Sequence, residues 1–369
     1  MKFLCSNTTW ARGISAVQNA VGSPLSNPIV ENIFISCKED KVIFVATNLN
    51  LTLRCEGEAK VETPGEVVLP TKIISGIVRD LPQGEVSFKE EKSVVNLKCS
   101  EFRAKMNGLD AKIFPPYMPV DEGYTMEIEV SVLKDIIRKT LYSTTQEKSR
   151  YELDGVFFDF REGVMNCVSA DGRRLTWFKH ELEELKELNF SMSVPAKTLQ
   201  EVSRSFPDEG KAALKFQEKK IQIHCGDTTL VSNLLKNNFP QYEKIVPTGG
   251  IAKANVKREE FAMSIQRASN LASMDTGMVI LDLEDGNMEA LGERQDMGGE
   301  GRDRIKVEYA GKKVSIRYNY RFLLDFLKCI DEEEVEIELW DSNKPAIFRG
   351  RGKTNYLYVL MPIKPPEEL

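Results

Sequence analysis

Three stretches of the chain share one alternation of apolar and polar positions and line up without a gap: IFISCKEDKVIFVATN (33–48), VFFDFREGVMNCVSAD (156–171) and VILDLEDGNMEALGER (279–294). They stand 123 residues apart each time, and three such periods make up the 369 residues. In each, two runs of strand length flank a short polar stretch, Glu39-Asp40, Glu162-Gly163 or Asp285-Gly286, which predicts a tight hairpin. A second anchor, VVLPTKIISGIVRDLP (67–82), MSVPAKTLQEVSRSFP (192–207) and SIRYNYRFLLDFLKCI (315–330), runs each time from a strand end into an amphipathic helix. A third occurs twice, as Phe114-Pro115-Pro116-Tyr117 and Phe239-Pro240-Gln241-Tyr242. Each third also opens with a helix-like segment, TTWARGISAVQNAV, VSVLKDIIRKTLYST or KREEFAMSIQRASNLA.

A solenoid repeat spans only ~20 to 50 residues, so a period this long indicates tandem copies of a whole domain. MPVDEGYTM and IVPTGGIAK carry the proline and glycine of linkers, which places the domains at 1–124, 125–250 and 251–369. Each then combines two helices with about eight strands, an α+β unit whose helices lie on one side of antiparallel sheet.

Composition adds limits. With 41% hydrophobic and 29% charged residues the chain reads as an ordinary soluble protein. No apolar run approaches the ~18 residues of a membrane span, and the apolar part of MKFLCSNTTWARG is too short for a signal peptide. Seven widely spaced cysteines (5, 37, 55, 99, 167, 225 and 329) include no CxxC pair, so reduced, buried thiols in a cytoplasmic protein are expected.

The net charge of −6 argues against a generic nucleic-acid coat, but its distribution reverses that reading. All six predicted helices are net positive and together carry +7, which leaves −13 for the rest of the chain. Helices sharing one face would attract a polyanion there while the remainder repels it. No GxxxxGK[ST] loop or aromatic RNA-binding signature accompanies them, so the expected mode is backbone contact without sequence readout. The glycine-rich run LGERQDMGGEGRDR (291–304) lacks the context of a phosphate loop and is expected to be a mobile surface loop. His180 and His224 have no spaced partners for a metal site or a catalytic triad. A scaffold that only gathers peptides, without DNA, is the rival reading, and the basic helices count against it.

One stretch stands out. In VSADGRRL (168–175) Asp171-Gly172 signals a hairpin, but nothing in a hairpin requires Arg173 and Arg174 to follow together beside Leu175.

Taken in order, the MKF start, Asn27-Pro28-Ile29 with Asn32, Leu69-Pro70 before a helix, Arg150-Tyr151-x-Leu153-x-Gly155, Ala170-Asp171-Gly172-Arg173-Arg174-Leu175, Phe239-Pro240-x-Tyr242 and Tyr358-Val359-Leu360-Met361-Pro362-Ile363 resemble the bacterial sliding clamp, the β subunit of DNA polymerase III. The resemblance covers the whole chain. It implies the DNA clamp fold: three similar domains per chain, with two chains closed head to tail into a ring lined by helices. It implies a processivity factor with no catalytic residue and no cofactor, encircling duplex DNA and tethering the replicative polymerase. The clamp loader and other clamp-motif proteins, such as repair polymerases, ligase and mismatch-repair proteins, are the further partners it implies.

The same resemblance implies a peptide groove between domains 2 and 3 formed by Leu153, Gly172, Arg174, Leu175, Pro240, Val359, Leu360, Met361 and Pro362. Arg150 and Arg174 would sit at its polar edge, Arg173 at its rim, and Tyr320 would close it from the third domain. The DNA-facing cations would be Arg12, Lys72, Arg79, Lys134, Arg138, Lys197, Arg204, Lys257, Arg267, Arg321 and Lys328. There are departures. Arg173 stands where relatives often have histidine, and the chain runs on after Met361-Pro362 to KPPEEL, which could flank the groove. A DNA-contacting arginine of the early glycine-rich turn is replaced at Pro24, with Lys41, Arg54 or Arg12 as candidates to compensate.

Overall fold

A computed structural model describes residues 1–23, 27–145, 147, 151–182, 185–236, 238–294, 298–309 and 311–364. Each predicted helix segment contains one α-helix: α1 (Asn7–Val17), α2 (Thr71–Arg79), α3 (Val130–Thr140), α4 (Ala196–Ser205), α5 (Arg258–Ser269) and α6 (Tyr320–Cys329). The aligned stretches fold as the predicted hairpins, Asn32–Lys38 with Lys41–Thr47, Gly155–Arg161 with Val164–Ala170, and Met278–Glu284 with Asn287–Arg294. Both turn residues take positive φ in all three, 50° and 57° at Glu39-Asp40, 52° and 75° at Glu162-Gly163, 36° and 74° at Asp285-Gly286. That double left-handed geometry matches the twist of antiparallel strands, so the turns, like the strands, repeat.

By density of packing the chain divides into two units, Met1–Asp135 with Lys197–Leu235, and Ile136–Ala196 with Lys236–Leu369. The division runs through the middle copy, and strand pairing explains it. In the first unit an eight-stranded sheet pairs the first copy's Leu51–Glu58 with the middle copy's Thr228–Asn233. In the second, a nine-stranded sheet pairs the middle copy's Arg174–Glu181 with the third copy's Tyr356–Leu360. The middle copy thus commits one half of its strands to each neighbour, and continuous backbone hydrogen bonding joins the copies within a sheet.

The helices cover apolar sheet faces. In the first unit Trp10 of α1, fully buried, packs among Phe3, Phe44 and Phe88 with ring centroids 5.3–5.9 Å away. In the second, Phe326 of α6 stacks on Tyr358 at 5.0 Å and contacts Phe348. All seven cysteines are buried and outside any disulfide, six of them on strands. Burial, aided by the charge of Glu85, pushes the Cys5 thiol up to about 12, which leaves it protonated and unreactive at neutral pH.

The run 291–304 departs from its expected loop form. Residues 291–294 and 299–304 are paired strand, Glu293 facing Glu300 and Arg294 facing Gly299, while 295–297 lie outside the described residues. Three of its glycines serve packing. A Cβ on Gly292 would stand 2.0 Å from the Ala268 carbonyl oxygen of α5, and Gly299 and Gly301 lie under Leu271. Close approach of a helix to the sheet, and not an anion, accounts for them.

Candidate functional site

The strand Val164–Ala170 turns at Asp171-Gly172-Arg173 into the strand Arg174–Glu181. Gly172 has φ +84°, a conformation that favours glycine. Asp171 fastens the turn: its Oδ1 accepts from the N–H of Arg173 at 2.9 Å and of Arg174 at 3.0 Å, and its own N–H donates to the Arg174 carbonyl at 3.2 Å. Neighbouring residues in a strand face opposite ways, which is why two adjacent arginines have different tasks.

Arg174 points to the helix side and its side chain is only 8% exposed. Its Nε donates to Asp171 Oδ2 at 2.9 Å, one terminal nitrogen to Asp325 Oδ2 of α6 at 2.8 Å, and the other to the Tyr142 carbonyl oxygen at 2.6 Å. The guanidinium lies 4.1 Å from the ring centre of Phe322. Burial alone would lower its pKa, but Tyr358, Asp325 and Asp171 outweigh that and hold it above its ordinary value. Expected at the polar edge of a groove, Arg174 is instead a buried brace between the turn, α6 and the short helical turn Leu141–Ser143. Arg173 faces outward, is exposed, and its carbonyl accepts from the Met361 N–H at 2.9 Å.

Arg173, Met361 and Pro362, together with Asp275, Thr276, Asn319, Phe322 and Ile363, line a cleft of about 440 Å³. Beside it in the sheet Leu175 pairs with Val359, and both lie with Leu153 in one buried cluster that includes Val168, Ala170, Tyr242, Trp340 and Ile347. Pro240 belongs to the strap that covers this cluster. Phe239 stacks on Phe157 at 4.9 Å, and the Tyr242 hydroxyl donates to Asp159 at 2.8 Å. Leu360 is fully buried on the opposite face, paired with Arg174, so it does not join Val359. Tyr320 opens α6, half-buried, with the Arg321 guanidinium 5.0 Å from its ring centre. It is Phe322, two residues on, that lines the cleft. Arg150 lies outside the described residues, as do Pro24 and residues 365–369 of the C-terminal extension.

Asp275, Thr276, Asn319, Phe322 and Ile363 were not expected from the sequence. A signal existed for Asn319: it precedes an amphipathic helix and caps it, Oδ1 accepting from the Arg321 N–H at 3.0 Å. Its amide donates to the Thr276 carbonyl at 3.1 Å, which brings the 275–277 turn to the cleft.

The expected DNA-facing cations fall into two groups. Arg12 pairs with Asp227 at 2.7 Å, Lys134 with Asp208 at 2.6 Å, Arg138 with Asp331 at 2.7 Å, Arg204 with Glu201 at 3.1 Å, Lys257 with Glu260 at 3.1 Å and Arg267 with Asp303 at 2.7 Å. Hydrogen bonds from their cations hold Asp208, Asp303 and Asp331 below the usual carboxylate range. Lys72, Arg79, Lys197, Arg321 and Lys328 are exposed, and among the described residues none of the five has a carboxylate partner. The three candidates to replace the early-turn arginine are all committed, Arg12 to Asp227, and Lys41 and Arg54 to Glu56. His180 and His224 lie on separate strands, and no group of three His, Cys, Asp or Glu suited to a metal occurs among the described residues.

Family models for the DNA polymerase III β subunit match the chain along its length, the N-terminal domain at residues 1–119, the central domain at 127–241 and the C-terminal domain at 243–364. The β sliding clamp of Chlamydia muridarum is 26% identical over 367 residues, 99% of each chain. That of Synechocystis is 25% identical over 389 aligned residues, also 99% of each. Crystal structures share the fold: the sliding clamp of Bacillus subtilis has a TM-score of 0.94 at 22% identity, and that of Pseudomonas aeruginosa bound to griselimycin 0.94 at 23%. Both likenesses cover 99% of this chain and 100% of theirs.

Proposed function

The chain belongs to the DNA polymerase III β-subunit family, and on that premise we propose that it is a ring that holds the replicative polymerase on duplex DNA. Two copies close head to tail, six domains complete the ring, and the basic helices face the DNA. Such a ring needs no catalytic residue. It retains DNA by topology, and weak phosphate contacts let it slide while a tethered polymerase stays at high local concentration near its primer end. The domains are taken as 1–124, 125–250 and 251–369.

The observation that carries the reading is the cleft of Arg173, Phe322, Met361 and Pro362 beside the Asp171 corner. It is concave, apolar along Phe322, Met361, Pro362 and Ile363, and edged by one exposed cation, Arg173, and one exposed anion, Asp275, as a short peptide with an apolar end and a polar flank would require. Met361 adapts to varied side chains, which suits a surface shared by the polymerase, the clamp loader, repair polymerases, ligase and mismatch-repair proteins. Ring closure is supported by open sheet edges. The five-stranded sheet of the first unit ends at Phe102–Asn107 and the four-stranded sheet of the second at Gly299–Lys306, with Phe102, Ile73 and Met274 exposed.

The test uses the purified protein loaded onto nicked circular DNA. The ring is expected to stay on the circle and to leave when the circle is cut. Release that ignores linearisation, or sedimentation as a monomer at micromolar concentration and physiological salt, would refute the ring.

A further inference from the structure

The paired and unpaired cations sort by helix. On the first helix of each copy, or at its start, every expected DNA-facing cation is engaged by a carboxylate of the same chain: Arg12 of α1, Lys134 and Arg138 of α3, Lys257 and Arg267 of α5. On the second helix of each copy stand the cations without one: Lys72 and Arg79 of α2, Lys197 of α4, Arg321 and Lys328 of α6. Arg204 is the single exception, bound to Glu201 one turn back on its own helix. We infer that DNA is gripped by the second helix of each copy, and that the first-helix cations act as internal fasteners and take little part in binding. This rests on the reading that the helices face DNA.

The physical reason is counterion release. A free lysine or arginine that meets a phosphate displaces a condensed cation from the duplex, and that release supplies the affinity and its salt dependence. A guanidinium already held by a carboxylate belongs to a pair with no net charge. To reach a phosphate it must leave its partner, and the carboxylate then faces the DNA. The fasteners have the geometry for such a role. Arg138 donates twice to Asp331, at 2.7 and 3.1 Å. Arg267 donates twice to Asp303, at 2.7 and 2.9 Å. Lys134 also donates to the Phe206 carbonyl at 2.8 Å. The two arginine pairs are bidentate, the stronger class of charged hydrogen bond. Two of the acidic residues that reach the first helices sit just beyond the second helices, Asp208 after α4 and Asp331 after α6.

Three variants of the full-length protein decide it, each read by the salt dependence of its association with a short labelled duplex. Lys72 and Arg321 stay unchanged, the first because it adjoins Ile73 at the proposed ring contact, the second because it lies beside Gly277 near the cleft. The second-helix variant (Arg79→Gln, Lys197→Gln, Lys328→Gln) should flatten the slope by about 0.9 log unit for each phosphate that is no longer neutralised. The first-helix variant (Arg12→Gln, Lys134→Gln, Arg138→Gln) should leave the slope as it is. The release variant (Asp227→Asn, Asp208→Asn), nearly isosteric, should steepen it, because Arg12 and Lys134 lose their carboxylate partners. An equal or larger flattening in the first-helix variant, or no steepening in the release variant, overturns the inference while leaving the ring reading intact. No change in any variant overturns both, because the helices then do not face DNA.

Discussion

Two corners of the molecule, 123 residues apart, have the same backbone and different fates. At the first, Asn48 Oδ1 accepts from the N–H of Asn50 at 3.0 Å and of Leu51 at 2.9 Å, and the Asn48 N–H donates to the Leu51 carbonyl at 3.0 Å. Asp171 makes the same three bonds to Arg173 and Arg174. Even the incoming neighbour strand repeats: the Asn233 N–H donates to the Asn50 carbonyl at 2.8 Å, as the Met361 N–H donates to that of Arg173 at 2.9 Å. What differs is side chains. Asn233 spends its amide on Asn50 Oδ1 at 3.2 Å and closes a polar seam, whereas Met361 has no such partner group and stands 42% exposed beside the cleft. The inward position is apolar Leu51 in one corner and the Arg174 brace in the other. A repeated backbone therefore supplies two equivalent platforms, and a handful of substitutions leaves a cleft beside one of them.

The largest break in the comparison should come from Arg174→Leu, which imports the first corner's inward residue. Asp325, Asp171 and the Tyr142 carbonyl would lose their shared donor, and removing one partner of a buried pair typically costs ~3–5 kcal/mol. Thermal unfolding should show a clearly lower Tm, with peptide binding abolished as the corner loosens. A variant as stable as the wild type would mean that Arg174 braces nothing.

Next in size is Met361→Ala. Truncating an apolar anchor usually costs ~2 kcal/mol, about thirtyfold in affinity. Calorimetry with a polymerase-tail peptide should find that drop with Tm unchanged, while Asn233→Ala leaves the affinity alone. Leu175→Ala is a poorer probe. At 2% exposure Leu175 belongs to the packed cluster, so its truncation should lower stability by ~2–5 kcal/mol whatever the cleft binds. Wild-type affinity in Met361→Ala would remove the peptide reading of this cleft.

Much of the fold was legible because it repeats. Period-two alternation around two-residue turns marks hairpins, and the six amphipathic segments became α1 to α6. Less of the site could be read. Strand parity, which sends Arg173 outward and Arg174 inward, depends on where the turn ends, and a shift of one residue inverts both. Asp275 and Thr276 reach the cleft through the pairing of Met278 with Asn319 and the Asn319 amide bond to the Thr276 carbonyl, and Phe322 through its place on α6, tertiary contacts without sequence periodicity. Charge counting found the basic helices but not the carboxylates that occupy half of their cations, because partners such as Asp331 for Arg138 lie 193 residues away. The run 291–304 misled through composition, three of its glycines being spent on close packing with α5 and with Leu271 just beyond it.

The smallest expected effect concerns the tips of the two corners. Leu49 has φ +75°, the left-handed region that glycine occupies at the equivalent Gly172 with φ +84°. A bulky residue there is strained, by roughly 1 kcal/mol, and Leu49 at 53% exposure gains little from burial in return. Leu49→Gly would relieve that strain but add ~0.4–1 kcal/mol of unfolded-chain entropy, so the two nearly cancel. Leu49→Asn avoids the entropy term, because asparagine tolerates the left-handed region while keeping a side chain. It should therefore stabilise the protein by ~0.5 kcal/mol, a rise in Tm of a degree or two. Gly172→Leu, the reverse exchange, should lower Tm by a similar or larger amount. Equal Tm values for wild type, Leu49→Asn and Gly172→Leu would show that the turn is held so firmly by Asn48 and Asp171 that the tip residue is free to vary, and the difference between the corners would then rest on their inward and outward side chains alone.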